Sequence, residues 1–284
     1  MTVSFASTGA ALGVEVRGLD LSNEIDDETF AEIRNAFLRH EVLIVRDCKF
    51  DDADHIRFTR RFGTLRTVKM DKFLGDRQPE IFIVSNIKED GKYIGVYDAG
   101  LFWHTDGAFL EKPHGASALH ALEVPHDASG KPLGDTCFVS VTAAYEALPD
   151  AMKRRLEGLR AHHSLLLRYK KTVDSGRTTE VLSGVPQDAM EAVHPVVRPH
   201  PVTGAKCLYV SDGYTTGISG LPDDEGKDLL AELTAHCVKP EFMYRHAWKV
   251  HDLVMWDNHA TQHKATFDYA LPQRRLMHRT AAMY

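Results

Sequence analysis

DLVMWDNHATQHKA, residues 252–265, opens as a strand, with the apolar run Leu253 to Trp256 closed off by Asp257 and Asn258. It runs on into HATQHKA, and the chain then continues through LPQRRLMHRTAAMY, residues 271–284. Working outward, short β-type runs recur: IFIV from 81, TCFVSV from 136, KCLYVS from 206, FMYRHAW from 242 and RLMHRTAA from 275. VLIV at 42–45 reads as a buried strand. It follows a helix predicted over 27–40, where Phe30, Ile33, Ala36 and Phe37 recur at helical spacing behind an Asp cap. Further helices are expected over 52–62 and, after Pro222, over 223–237. Many short strands punctuated by Gly, Pro and Asp predict a mainly β fold with flanking helices, built on a jelly-roll (double-stranded β-helix) core. The chain has no Gly-x-Gly-x-x-Gly motif and no regular β–α alternation, which disfavours a nucleotide-binding doubly wound sheet.

At 284 residues and 43% hydrophobic content the chain can bury one substantial core, and no repeat or linker divides it, so residues 1–284 are expected to form a single domain. A net charge of -6 and the lack of any Lys/Arg-rich run argue against a nucleic-acid partner. The N-terminus lacks a basic leader followed by an apolar core, and no segment approaches the roughly 20 apolar residues that span a bilayer. A cytoplasmic protein with no membrane partner is the expectation. Cys48, Cys137, Cys207 and Cys237 lie far apart with no Cys-x-x-Cys pair, as reduced thiols do.

Trp103-His104-Thr105-Asp106-Gly107 carries the first chemical signal. In an extended strand residues i and i+2 share a face, so His104 and Asp106 could offer an imidazole and a carboxylate to one ion. With 16 His and 40 acidic residues in the chain, that spacing also arises by chance. A histidine from the 259–263 segment would complete a two-histidine, one-carboxylate facial triad, which leaves the opposite face of an iron(II) ion open. A closed zinc site would use more Cys or His.

Together with LRHEVLIVRD (38–47), RRFGTL (60–65), WHTDGAF (103–109), GDT (134–136), AAYEAL (143–148), HPVVRPHPVTGAKCLYVSDGYTT (194–216), MWDNHATQH (255–263) and LPQRRLMHR (271–279), the sequence resembles the taurine and 2,4-dichlorophenoxyacetate dioxygenases, a branch of the 2-oxoglutarate-dependent oxygenases. These stretches follow the family order across nearly the whole chain. The resemblance implies Fe(II), 2-oxoglutarate and O2, with succinate and CO2 released as a small organic anion, a carboxylate or sulfonate, is hydroxylated. It makes His104, Asp106 and His263 the metal ligands and leaves His259 and His278 structural roles. Retention of Asp106 argues against a halogenase.

By the same resemblance, Arg275 and Thr136 hold the far carboxylate of 2-oxoglutarate, with Arg274 a competing candidate, and Arg279 receives the anionic head of the prime substrate. Tyr169, Tyr214 and Gly107 would line the substrate pocket. Where the taurine branch has a His after its Arg-Phe-Gly motif and an Asn before its Trp-His, this chain has Val68 or Lys69 and Ala99 or Gly100, so taurine itself is not expected. Residues 86–103 are expected to form a lid and specificity loop, with Tyr93, Tyr97 and Asp98 facing the pocket. Relatives' habits imply a homo-oligomer, dimer or tetramer. Competing readings are a facial-triad metalloenzyme that does not use 2-oxoglutarate, and a non-catalytic jelly-roll binding protein.

Overall fold

The computed structural model describes residues 3–67, 78–176 and 190–284. In chain order the strands are β1 (Ser4–Ser7), β2 (Val14–Arg17), β3 (Val42–Val45), β4 (Thr64–Leu65), β5 (Phe82–Ser85), β6 (Lys88–Glu89), β7 (Lys92–Tyr93), β8 (Ala116–Glu123) and β9 (Thr136–Ser140). They continue with β10 (Arg160–Ser164), β11 (Glu191–Pro195), β12 (Val197–Pro199), β13 (Lys206–Leu208), β14 (Thr215–Ser219), β15 (Met243–His246), β16 (Leu253–Asp257), β17 (Thr261–Ala265) and β18 (Leu276–Met283). The helices are α1 (Asp27–His40), α2 (Asp52–Arg60), α3 (Val141–Glu146), α4 (Asp150–Arg155), α5 (Leu165–Asp174) and α6 (Asp223–Cys237). The fold is thus mostly strands with flanking helices, and no described helix is long and apolar enough to cross a membrane. The four cysteines are free.

Local chemistry sets the helix ends. The Asp26 side chain accepts from Thr29 N at 2.7 Å to start α1, and Asp51 and Asp54 cap α2 reciprocally. α2 stops at Arg60, two residues short of the expected 62. The chain turns there so that Gly63 can pass beside the Met283 carbonyl, which a Cβ at that position would overlap.

The large sheet runs β1-β2-β3-β16-β8-β18-β4, with β5 also pairing β18. Opposed residues share a face, so the register divides the sheet cleanly. Leu43, Val45, Leu253, Met255, Ala116 and Ala118 pack outward against Ile33 and Phe37 of α1 and Phe58 of α2. Val42, Ile44, Val254, Trp256, Leu119, Ala121 and Met277 pack inward with Trp248 and with Phe138 of β9. β9 sits between β15 and β17 in a second, three-stranded sheet. Burial on both faces explains why VLIV and LVMW are continuous apolar runs rather than alternating ones. β8, ASALHALE, was not anticipated. Its Ala and Ser residues have little strand preference, and it is held between β16 and β18 by close packing.

Candidate active site

β17 brings His263 to His104. The two exchange backbone hydrogen bonds, His104 N to His263 O at 3.1 Å and His263 N to His104 O at 2.9 Å, and their rings lie 4.1 Å apart. The extended strand expected through His104 and Asp106 does not form: His104 makes only this isolated bridge, and Asp106 stands on the turn that follows. Gly107, with φ +72, makes that turn and packs against His114 and Leu110. The turn still carries Asp106 back toward His104, whose Nε2 lies 3.6 Å from Asp106 Oδ1. One ligand atom from each of His104, Asp106 and His263 lies within 4.8 Å of the other two, and all three residues are buried.

The protonation pattern suits a cation. His104 Nδ1 lies 2.8 Å from the Phe102 carbonyl, which only accepts, so Nδ1 donates there and Nε2 is the ring nitrogen turned toward Asp106. Burial holds the pKa of His263 well below the usual range, with the neighbouring His104 adding to the effect, so its ring is neutral as a ligand must be. Burial would raise Asp106, but the Arg279 charge and the two histidines outweigh it and keep the carboxyl well below the ordinary value. Its Oδ1 accepts from Arg279 Nη1 at 3.0 Å and its Oδ2 from Ser117 Oγ at 2.7 Å. Asn258 closes the network: Nδ2 donates to Ser117 Oγ, and Oδ1 accepts from Trp256 Nε1 and Asp106 N. Ser117 and Asn258 were not singled out from sequence. Asn258 lay inside the quoted MWDN stretch, while Ser117 sits in a plain Ala-Ser-Ala run with no signal.

The two neighbouring arginines separate. Arg274 is an exposed side chain whose guanidinium meets Glu123 at 2.8 and 2.9 Å. Arg275 is 3% exposed, and its Nε has no partner. The Arg275 backbone is fixed by Asn86 Oδ1 and Ser85 Oγ, and Tyr269 lies beside its guanidinium at 6.0 Å. Thr136 faces Ala265 and shares the β9 face with Phe138, which is opposite His263. Trp248 Nε1 donates to its hydroxyl at 3.0 Å, leaving the hydroxyl proton to be given elsewhere. Buried, unpaired donors of this kind are what the far carboxylate of 2-oxoglutarate would satisfy.

Tyr214 lies with its ring 5.7 Å from that of His104 and 5.2 Å from Phe109. Tyr169 is half-buried on α5, one residue beyond Arg168. Segment 86–103 contains the β6–β7 hairpin, turning at Asp90 and Gly91, both at positive φ. Tyr93 and Tyr97 stack on each other at 4.1 Å, Asp98 meets Arg168 at 3.4 Å, and the Gly100 carbonyl accepts from Ala265 N at 2.9 Å. Ala99 packs on the inner cluster. Val68 and Lys69 lie outside the described residues. His259 stacks on Tyr284 and His278 bonds Asp52, so neither joins the triad.

A sequence model described as "Taurine catabolism dioxygenase TauD, TfdA family" matches residues 4–281. Pentalenolactone F synthase of Streptomyces arenae is 34% identical, the match covering 97% of this chain and 93% of that protein. An alpha-ketoglutarate-dependent 2,4-dichlorophenoxyacetate dioxygenase of Cupriavidus pinatubonensis is 34% identical over 96% of this chain and 94% of its own length. Among solved structures, a taurine dioxygenase from Burkholderia xenovorans superposes with a TM-score of 0.81 at 28% identity, covering 100% of this chain and 90% of that one. AAD-2 in complex with Mn(II) and N-oxalylglycine superposes with a TM-score of 0.79 at 29% identity, covering 100% and 98%.

Proposed function

Because the chain belongs to the taurine catabolism dioxygenase family, and is a 2-oxoglutarate-dependent dioxygenase that needs a metal, we propose that it uses Fe(II) and O2 to hydroxylate a small organic anion, a carboxylate or sulfonate with an apolar or aromatic body, releasing succinate and CO2. The observation that carries this reading is the convergence of two imidazoles and one carboxylate at a buried point, with Arg275 buried and its Nε without a partner.

In this reading His104 Nε2, Asp106 and His263 hold the ion, while Arg275 and Thr136 anchor the cosubstrate's far carboxylate. Bound Fe(II) and 2-oxoglutarate together supply the oxygen activation that exchanges a carbon-bound hydrogen for a hydroxyl. Ser117 and Asn258 hold the Asp106 carboxylate in place, and the Phe102 carbonyl fixes the His104 tautomer. Arg279 offers charge to the substrate's anionic head, and Tyr214 with Phe109 offers an aromatic wall against its body. Segment 86–103 acts as lid and specificity element. If the hydroxylated carbon bears a sulfonate, ether oxygen or amine, the product collapses with C–S, C–O or C–N cleavage. Phe138 packing against the large sheet supports a jelly-roll core for this site.

Oxygen uptake and succinate release, measured with 2-oxoglutarate and a panel of phenoxyalkanoates, sulfate esters and sulfonates, test the proposal. The expected result is succinate in step with consumption of one panel class, lost in His104→Ala, Asp106→Ala and His263→Ala. Full activity in any one of those variants removes that residue from the triad.

A further inference from the structure

Arg66 follows β4 and continues its pairing with β18: its N–H donates to the Ala281 carbonyl at 2.9 Å, one step from the Leu65–Ala282 pair. Side chains alternate along a strand, and opposed residues share a face. Leu65 and Ala282 turn outward, where both pack on the cluster under α1 and α2. Arg66 therefore lies on the face of Ala281, Arg279 and Ser117 at the sheet's rim, an exposed residue whose guanidinium reaches toward the site.

On that face Arg66 Nη1 lies 3.0 Å from His114 Nε2. A guanidinium has only donors, so Nε2 accepts, and His114 is the neutral tautomer with its proton on Nδ1. Burial keeps it neutral, drawing its pKa down to about 4. His114 also packs on the Gly107 turn, where a Cβ would come within 3.0 Å of its Cδ2. One side chain thus fixes Arg66 relative to the turn that carries Asp106.

The charges do not balance on this corner of the site. Arg279 spans Phe82, with its guanidinium 4.6 Å from the ring centroid, and reaches Asp106. Arg66 makes no ion pair among the described residues, and its hydrogen-bond partner is a neutral imidazole. Partial burial of its guanidinium and the Arg279 charge lower its pKa, against the Asp106 charge, which raises it. Two guanidiniums therefore serve a single carboxylate.

We propose that Arg66 and Arg279 together seat the anionic head of the prime substrate, with His114 the positioning residue that holds Arg66. This rests on the function proposed above, in which the metal's charge offsets Asp106 and leaves both guanidiniums to an external anion. Carboxylate and sulfonate share the needed chemistry, several oxygens on one centre that can take donors from two planar forks.

Isothermal titration of the Mn(II)- and 2-oxoglutarate-loaded protein with phenoxyacetate and with 1-propanesulfonate tests the proposal without turnover. Wild type is expected to bind at least one of them, and whichever binds identifies the head. Arg66→Ala is expected to weaken that binding about tenfold, the loss of one charge-assisted hydrogen bond, with the 2-oxoglutarate titration unchanged. Arg66→Lys, which keeps the charge but not the fork, falls between the two. His114→Leu weakens the anion, and His114→Gln, which retains an acceptor, restores it. Wild-type affinity in Arg66→Ala, or no binding of either anion by wild type, overturns the seat. Failure of 2-oxoglutarate to bind the metal-loaded protein is read in its own titration and overturns the underlying function as well.

Discussion

Arg279 Nη1 meets Asp106 Oδ1 at 3.0 Å while Ser117 Oγ holds Oδ2 of the same carboxylate at 2.7 Å. Each oxygen thus has its own donor, and the carboxylate plane is set by two strands of one sheet, β18 and β8. Ser117→Ala frees one oxygen without adding volume. Metal affinity is expected to fall roughly 10- to 100-fold, the usual cost of losing an outer partner of a ligand. Competition against a chelator measures it, and unchanged affinity would reduce Ser117 to a space filler.

Arg275 is buried with its Nε unpaired, so a bound carboxylate would gain a desolvated ion pair there. Arg275→Ala is expected to raise the 2-oxoglutarate requirement by about 100-fold or more, a cost of several kcal/mol. Thr136 contributes a neutral hydroxyl already oriented by Trp248, so Thr136→Val is expected to cost about tenfold. Arg274→Ala, which breaks only an exposed pair with Glu123, leaves the requirement unchanged. Succinate formation against 2-oxoglutarate concentration separates the three, and equal effects from Arg274 and Arg275 would mean the anchor is wrongly assigned.

Gly107 sits at φ +72 with His114 in close contact. Gly107→Ala combines left-handed strain of about 1–2 kcal/mol with that contact. A lower denaturant midpoint together with weaker metal binding is the expected outcome, since the same turn carries Asp106. A variant that loses stability but binds metal normally would uncouple the turn from the site.

Several histidines are buried in their neutral form: His55 and His163 are drawn down to about 3, and His114, His120 and His259 to about 4, by burial first. A base depressed in the folded state contributes stability that is present above its unfolded value near 6.5 and lost as pH falls toward the folded one. Below pH 6.5 each therefore costs about 1.4 kcal/mol per pH unit. Glu41 acts oppositely. Burial raises it to about 7, so its share of stability falls as pH rises from about 4.5 to 7. Denaturant melts of the apoprotein from pH 7 to 5 are expected to show steep net destabilisation, shallower by one proton in His55→Asn. A flat profile contradicts the buried neutral assignments.

Much of this was legible in sequence. The α1, β3 and α6 boundaries came from spacing and caps, as Asp26 capping α1 illustrates. The side chains of His104, Asp106 and His263 lie together, although His104 and Asp106 reach one point through a turn and not a strand. What escaped depends on tertiary contact. β8 is a strand because of its neighbours, Ser117 matters because β8 faces Asp106, and the Arg66 guanidinium reaches the site because β4 pairs with β18 one residue earlier. The separation of Arg274 from Arg275 likewise follows from Glu123 lying across from the end of β18, which no local pattern reveals.

The central claim is that His104, Asp106 and His263 hold an Fe(II) to which 2-oxoglutarate binds with Arg275 as its anchor. Anaerobic addition of Fe(II) and then 2-oxoglutarate to the apoprotein, followed by visible absorption, tests it most directly. The account predicts a weak charge-transfer band that saturates with one Fe(II) per chain, is absent in His263→Ala, and needs far more 2-oxoglutarate in Arg275→Ala. A folded, iron-loaded protein that develops no band at saturating 2-oxoglutarate would contradict it.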